Sequence, residues 1–111
     1  MTEAERLAAE IRTEAARLRG VLAEFQIAAA AVTPPRSLRN FSDELAALGE
    51  TSKRFRSALI ALPEPDAPTR QAMLAARDEY DAVASQILTA AEKMMAAARA
   101  ARRKRRWSLK N

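Results

Sequence analysis

Apolar residues recur at alternating steps of three and four along three stretches of the chain. This spacing puts them on one side of an α-helix and is typical of helices that pack side by side. The first stretch contains Ala4, Ala8, Ile11, Ala15, Leu18, Leu22, Phe25, Ala29 and Val32. The second contains Leu38, Phe41, Leu45, Leu48, Ser52, Phe55, Leu59 and Leu62. The third contains Met73, Ala76, Tyr80, Val83, Ile87, Ala90, Met94 and Ala97.

The five prolines all lie in two short linkers between these stretches, "VTPPRS" and "LPEPDAPT". Proline interrupts a helix because its ring clashes with the preceding turn and it has no N–H to donate. Thr2 has capping-box spacing to Glu5, and Asp66 is a plausible N-cap for the third stretch. The predicted helices span about residues 2–32, 37–62 and 66–98.

Short connections between helices with heptad spacing predict an all-α fold, an up-down-up three-helix bundle with coiled-coil-like seams. A length of 111 residues fits one domain. We expect residues 1–98 to form the bundle, and the large side chains of the middle helix to fill grooves left by alanines on its neighbours. Residues 99–111 form a basic extension, expected to be helical to about residue 106 and to overhang the bundle.

Positive charge is concentrated at the end of the chain. The last fifteen residues, "AARAARRKRRWSLKN", contain seven arginines and lysines and no acid. The remainder holds 12 of the 19 basic residues and all 14 acidic ones, so it is mildly acidic. A block of like charge is typical of a segment that binds a polyanion or stays disordered.

Four arginines of this segment have the spacing i, i+3, i+4, i+7, which forms one stripe on a helix. Arginine binds phosphates through two parallel hydrogen bonds, and a neighbouring tryptophan can stack on an exposed base. In an up-down-up bundle the first linker lies at the same pole. The candidate nucleic-acid-binding residues are therefore Arg99, Arg102, Arg103, Lys104, Arg105, Arg106 and Trp107, with Arg36 and Arg39.

This arrangement is similar to a coiled coil whose basic extension grips DNA. It differs from the basic-leucine-zipper pattern, because its basic part is C-terminal and its helical basic stripe has no asparagine to read bases. We therefore infer no family membership and expect phosphate contacts without sequence readout. The alternatives for the segment are a disordered solubilising tail, an acidic protein partner or an anionic membrane surface.

A second apolar line runs beside the main seam of the third helix and contains Leu74, Leu88 and Met95, joined by Ala84 and Ala91. A helix that contacts two neighbours needs a wide apolar stripe, which accounts for much of this line. The alternative is a partner-binding surface for a second copy of the chain or for another protein.

The composition argues against an enzyme. Cysteine and histidine are absent and only two glycines occur, so thiolate and imidazole chemistry, the usual zinc sites and a glycine-rich phosphate loop are excluded. Ser52 could be a device that fixes the helix register or a nucleophile, but no histidine can activate it. Gly20 and Gly49 either mark close helix approach or are simply tolerated. We expect no catalytic residue, metal, cofactor or small-molecule substrate.

The longest apolar runs, such as "IAAAAV", are far shorter than the roughly 20 residues of a membrane span, so we expect no membrane insertion. The acidic start lacks signal-peptide features. We expect a cytoplasmic protein, or one within a virion or nucleoprotein assembly, and the alanine and arginine content favours a bacterial or phage genome. The leading hypothesis is a non-enzymatic structural subunit whose basic end contacts nucleic acid. The alternative is an adaptor or regulator that binds a protein through its apolar face.

Overall fold

The computed structural model describes residues 2–31 and 39–110, with the side chains of the second range described to Trp107. Over these residues the protein is all-helical, as predicted, and contains no strand. The helices are α1 (Glu3–Ala30), α2 (Arg39–Ala61) and α3 (Ala67–Lys110). Val32, Leu38 and the candidate Arg36 lie outside the described residues, so the predictions made for them are not addressed.

Two of the helix starts are capped by the residues that the sequence indicates. The Thr2 hydroxyl accepts a hydrogen bond from the Glu5 N–H at 3.2 Å, and Asp66 accepts one from the Thr69 N–H at 2.9 Å. These bonds satisfy N–H groups that have no partner within the helix. Hydrogen bonds from the side chain and backbone of Thr69 favour the carboxylate of Asp66 and lower its pKa below the usual value.

The core lies where the three apolar series meet. On α1 every predicted position from Ala4 to Phe25 is buried, and Leu7 is buried as well. On α3 the predicted series is buried from Met73 to Met94. On α2 only Leu48 and Phe55 are buried; Phe41, Leu45 and Leu59 pack against the core while remaining partly exposed. The middle helix therefore covers one side of a core built mainly by the other two.

The helices approach one another unequally. The backbones of α1 and α3 lie close together over much of their length, whereas α2 makes few close backbone contacts with either. Alanines such as Ala8, Ala15 and Ala76 allow this approach because a methyl group needs little space. The phenyl rings of Phe41 and Phe55 hold the backbone of α2 further away.

Side-chain contacts between the helices are consistent with an up-down-up order. Near the start of α2, the ring of Phe41 meets that of Phe25 edge to face, with 4.8 Å between the centroids. Further along α2, Arg54 forms an ion pair of 2.6 Å with Glu10. As α2 advances, it therefore passes from the end of α1 towards its beginning.

The third helix extends beyond the others. Met94 is its last buried residue, Ala97, Ala98 and Ala101 are half-buried, and residues 102–107 are exposed. With 44 residues and about 1.5 Å per residue, α3 is about 66 Å long, close to the 68 Å longest dimension of the molecule. It remains helical to Lys110, past the predicted limit near residue 106. Within the described ranges, no helix has the length and apolarity needed to cross a bilayer.

Candidate functional site

Four arginines near the end of α3 surround one space. Arg99, Arg102, Arg103 and Arg106 line a surface hollow of about 250 Å³. The i, i+3, i+4, i+7 spacing brings them together, because successive residues turn by about 100° around a helix. By the same rotation, Lys104 and Arg105 lie on other sides of the helix. The structure thus groups four of the six predicted basic residues of this segment.

Several arginines of the bundle lie beside carboxylates, whereas Arg6, Arg12 and Arg56 form no ion pair in the described part of the chain. In the bundle, Arg17 lies 2.6 Å from Glu14 and 3.5 Å from Glu44, and Arg19 pairs with Glu79. Among the residues that the structure describes, no carboxylate pairs with Arg99, Arg102, Arg103 or Arg106. Four guanidinium groups therefore face solvent around one space, and no carboxylate of the described residues neutralises them.

Trp107 follows the stripe directly and is 70% exposed. It stands four residues after Arg103, so the two lie on neighbouring parts of the helix surface. An exposed indole contributes nothing to the core, and its flat face is available for stacking on a base or for contact with a membrane interface.

Arg39 begins α2 at the basic end of the molecule. Two residues later, Phe41 shares a hollow with Met94 and Met95 of α3, just before the arginine stripe. This places Arg39 near the start of the overhang. The other residue expected there, Arg36, lies outside the described residues.

The second apolar line of α3 is only partly covered. Leu88 and Met95 are about half exposed and Leu74 is 43% exposed. Ala91, by contrast, is buried in the core, so part of this line serves the contact between α3 and α2. Beside Met95, an apolar hollow of about 230 Å³ opens between α2 and α3; it is lined by Phe25, Phe41, Ser42, Leu45, Ala91, Met94 and Met95.

Ser52 has a structural partner that sequence reasoning missed. Its hydroxyl lies 3.0 Å from the hydroxyl of Tyr80, which also lies 3.4 Å from the Leu48 carbonyl oxygen. Burial raises the pKa of Tyr80 above its ordinary value of 10.0, and the bond from Ser52 opposes that rise. A buried tyrosine generally finds a partner for its hydroxyl. Ser52, the one polar residue in the apolar series of α2, was therefore the sequence signal that could have predicted this hydrogen bond.

Acidic side chains at the surface of the bundle pair with neighbouring arginines. Asp78 lies 3.6 Å from Arg77, and Glu44 pairs with Arg17, as expected for charges on solvated helix faces. No cluster of three potential metal ligands occurs among the described residues. Among the described residues, a Cβ atom at Gly20 or Gly49 would meet no neighbouring atom within 4 Å, so neither glycine lies at a close helix contact there.

These features define an all-helical protein whose longest helix carries a charged end beyond the packed core. Comparison of the chain with protein-family models, curated proteins and solved structures finds no match.

Proposed function

We propose that the protein is a non-enzymatic structural subunit that contacts nucleic-acid phosphates through the overhanging end of α3. The rest of the chain forms an up-down-up bundle with heptad seams, which serves as a rigid support for that end. The observation that carries the proposal is the grouping of Arg99, Arg102, Arg103 and Arg106 around one hollow, with no ion-pair partner among the described residues.

Phosphate is the ligand that best fits this stripe. A guanidinium group donates parallel hydrogen bonds to two oxygens of one phosphate and stays charged at any physiological pH. From Arg99 to Arg106 the helix advances about 10 Å, so the stripe can reach more than one phosphate of a nucleic-acid backbone. The duplex major groove, about 12 Å wide, admits an α-helix, and Trp107 can stack on a base that is exposed.

Backbone contacts alone carry no sequence information. The stripe has no asparagine, glutamine or acid to complement the edges of adenine or cytosine. We therefore expect similar affinity for competing sequences, as suits a subunit of a nucleoprotein or phage assembly in the cytoplasm or a virion.

The first test is the salt dependence of binding to duplex DNA and to RNA, measured by fluorescence anisotropy with the full chain. Contacts by the four arginines of the stripe predict that log affinity falls with log salt with a slope of about −4 on duplex DNA. A slope of about −5 would indicate that Lys104 and Arg105 contact phosphates as well. An intact chain with no measurable affinity for DNA or RNA at about 50 mM salt would exclude this function.

A matched pair of variants separates the stripe from total charge. Arg102→Gln with Arg103→Gln should weaken binding and reduce the salt slope by about 2. Arg6→Gln with Arg12→Gln removes the same charge from exposed positions on α1 and should change binding far less. Equal losses for both pairs would show that net charge, and not the stripe, governs binding.

The rearrangement of the stripe tests its helical geometry. A variant with the same composition but with its arginines moved off the common face should bind more weakly if the segment is helical when bound. Unchanged affinity would point to a flexible polycation and contradict the role of the hollow.

A second candidate function is that of a protein-binding adaptor or regulator. The half-exposed side chains of Leu88 and Met95, beside the hollow lined by Phe41 and Leu45, favour it. The basic end would then be incidental, or would contact an acidic partner or a membrane surface. Failure of the nucleic-acid assays together with capture of a protein that Leu88→Glu abolishes would favour this function.

A further inference from the structure

One line of side chains on α3 repeats every seven residues and joins the bundle to the overhang. It consists of Leu74, Asp81, Leu88, Met95 and Arg102, all of which are exposed. A spacing of seven keeps residues on one side of a helix in a supercoiled pair. The line thus has an apolar centre, a carboxylate on one side of it and a guanidinium on the other.

Two copies of this line have complementary charges when the two helices run in opposite directions. If a second α3 runs antiparallel, with Leu88 opposite Met95 of the partner subunit, then Asp81 lies opposite Arg102 of the partner subunit. The two-fold axis repeats both contacts, giving two apolar contacts at the centre and one ion pair on either side. A parallel pair in register would instead place like charges opposite each other, which is unfavourable.

We propose that a second copy of this chain covers the line, through an antiparallel pairing of the two α3 helices in this register. Charge complementarity selects the occupant. Neither Asp81 nor Arg102 forms an ion pair with any other residue in the described part of the chain. Ala84 and Ala98, which are partly buried beside the line, are small and let another helix approach.

The pairing engages Arg102, one of the four arginines of the stripe. Arg99, Arg103 and Arg106 lie off the line and stay available to phosphates. The inference does not rest on nucleic-acid binding, because the contacts that hold the dimer are between two protein chains. The adaptor hypothesis assigns the same apolar face to another protein, whereas this proposal assigns it to a second copy of the chain.

The mass of the full chain in solution is the first measurement. Sedimentation equilibrium of nuclease-treated protein at concentrations up to several hundred micromolar should give twice the 12.2 kDa chain mass. Leu88→Glu should give the monomer mass with an unchanged helical circular dichroism spectrum, because it places a charge at the apolar centre. A monomeric wild-type chain throughout this range would overturn the proposal.

Charge reversal then tests the register. Asp81→Arg and Arg102→Asp each replace both ion pairs with repulsions, and each should raise the dimer Kd by about tenfold or more. The double variant restores opposite charges and should regain nearly the wild-type Kd. An equimolar mixture of the two single variants should form a heterodimer as well, since each ion pair then joins one arginine to one aspartate.

Glu24→Arg is the matched control, because it makes the same change of charge at an exposed position on α1 and should leave the Kd unchanged. A dimer that is weakened by both single reversals but not rescued by the double variant would overturn the antiparallel register. These measurements contain no nucleic acid, so their failure leaves the proposed phosphate contacts standing, and failure of the phosphate contacts leaves the dimer standing.

Discussion

The hydrogen bond between Ser52 and Tyr80 should give these two residues a measurable coupling energy. Ser52→Ala removes the partner at 3.0 Å and leaves the Tyr80 hydroxyl with the Leu48 carbonyl oxygen at 3.4 Å. Tyr80→Phe removes the hydroxyl but keeps the ring, which packs edge to face on Phe55 at 5.3 Å. A double-mutant cycle with these two changes isolates the polar contact from the packing.

The expected magnitude follows from the geometry. A neutral hydrogen bond of normal length contributes about 0.5–1.5 kcal/mol to stability, and removing one partner leaves the other poorly satisfied in a buried place. Each single variant should therefore lower the free energy of unfolding by about 1 kcal/mol, which corresponds to about 4 °C in Tm for a chain of this size. The double variant should cost little more than either single, giving a coupling energy of about 1 kcal/mol.

Alkaline titration provides an independent measure, because Tyr80 is the only tyrosine in the chain. Burial raises its pKa in the folded state above the ordinary value of 10.0. The associated stability is present below pH 10 and is lost as the pH rises through the folded-state pKa. Because the bond from Ser52 lowers this pKa, Ser52→Ala should shift the tyrosinate absorbance to still higher pH.

Two outcomes would refute this interpretation. Additive costs of the single variants in urea unfolding would show that the hydroxyls do not interact. A tyrosinate transition at the ordinary pKa, in a chain still folded by circular dichroism, would show that the Tyr80 hydroxyl is solvated.

Two further predictions concern α2 and the glycines. Leu48→Ala should lower the free energy of unfolding by about 3 kcal/mol because Leu48 is buried. Phe41 is partly exposed, so Phe41→Ala should lower it by about 2 kcal/mol. Ile60 is 80% exposed, so Ile60→Ala is the control and should change the free energy of unfolding by no more than about 0.5 kcal/mol. Equal costs at all three sites in urea unfolding would show that the buried face of α2 is misassigned. Gly20→Ala and Gly49→Ala should each raise the free energy of unfolding by about 1 kcal/mol, and with it the Tm, because alanine favours the helix and its Cβ meets no neighbour within 4 Å among the described residues. A lowered Tm would contradict the open surroundings of that glycine.

Much of the fold could be predicted because the sequence repeats its signals. The steps of three and four located the buried positions of α1 and α3, and the prolines located the two breaks. Thr2 and Asp66 marked two helix starts, since a side-chain acceptor at this position satisfies the first N–H groups. Such signals are local and depend on spacing along a single helix.

The apolar spacing along each helix could not predict how closely the helices approach one another. Apolar spacing treats Ala15 and Phe55 as equivalent, although one allows close backbone contact and the other prevents it. The weaker burial of α2 follows from that difference, as Phe41 and Leu45 remain partly exposed. The contact between Ser52 and Tyr80 was missed for a related reason, because it joins residues of different helices and depends on how the two series align.

The candidate site could be found from the sequence because the residues of its stripe all lie on a single helix. The stripe of Arg99, Arg102, Arg103 and Arg106 follows from spacing alone once α3 is helical past the bundle. Its surroundings required the structure, which shows that Arg17, Arg19 and Arg54 of the bundle have carboxylate partners and that the arginines of the stripe have none among the described residues. Arg17, Arg19 and Arg54 pair with carboxylates of a neighbouring helix, whereas the four arginines of the stripe have no such partner among the described residues. The proposed phosphate contacts rest on this local grouping of guanidinium groups more than on the total charge of the segment.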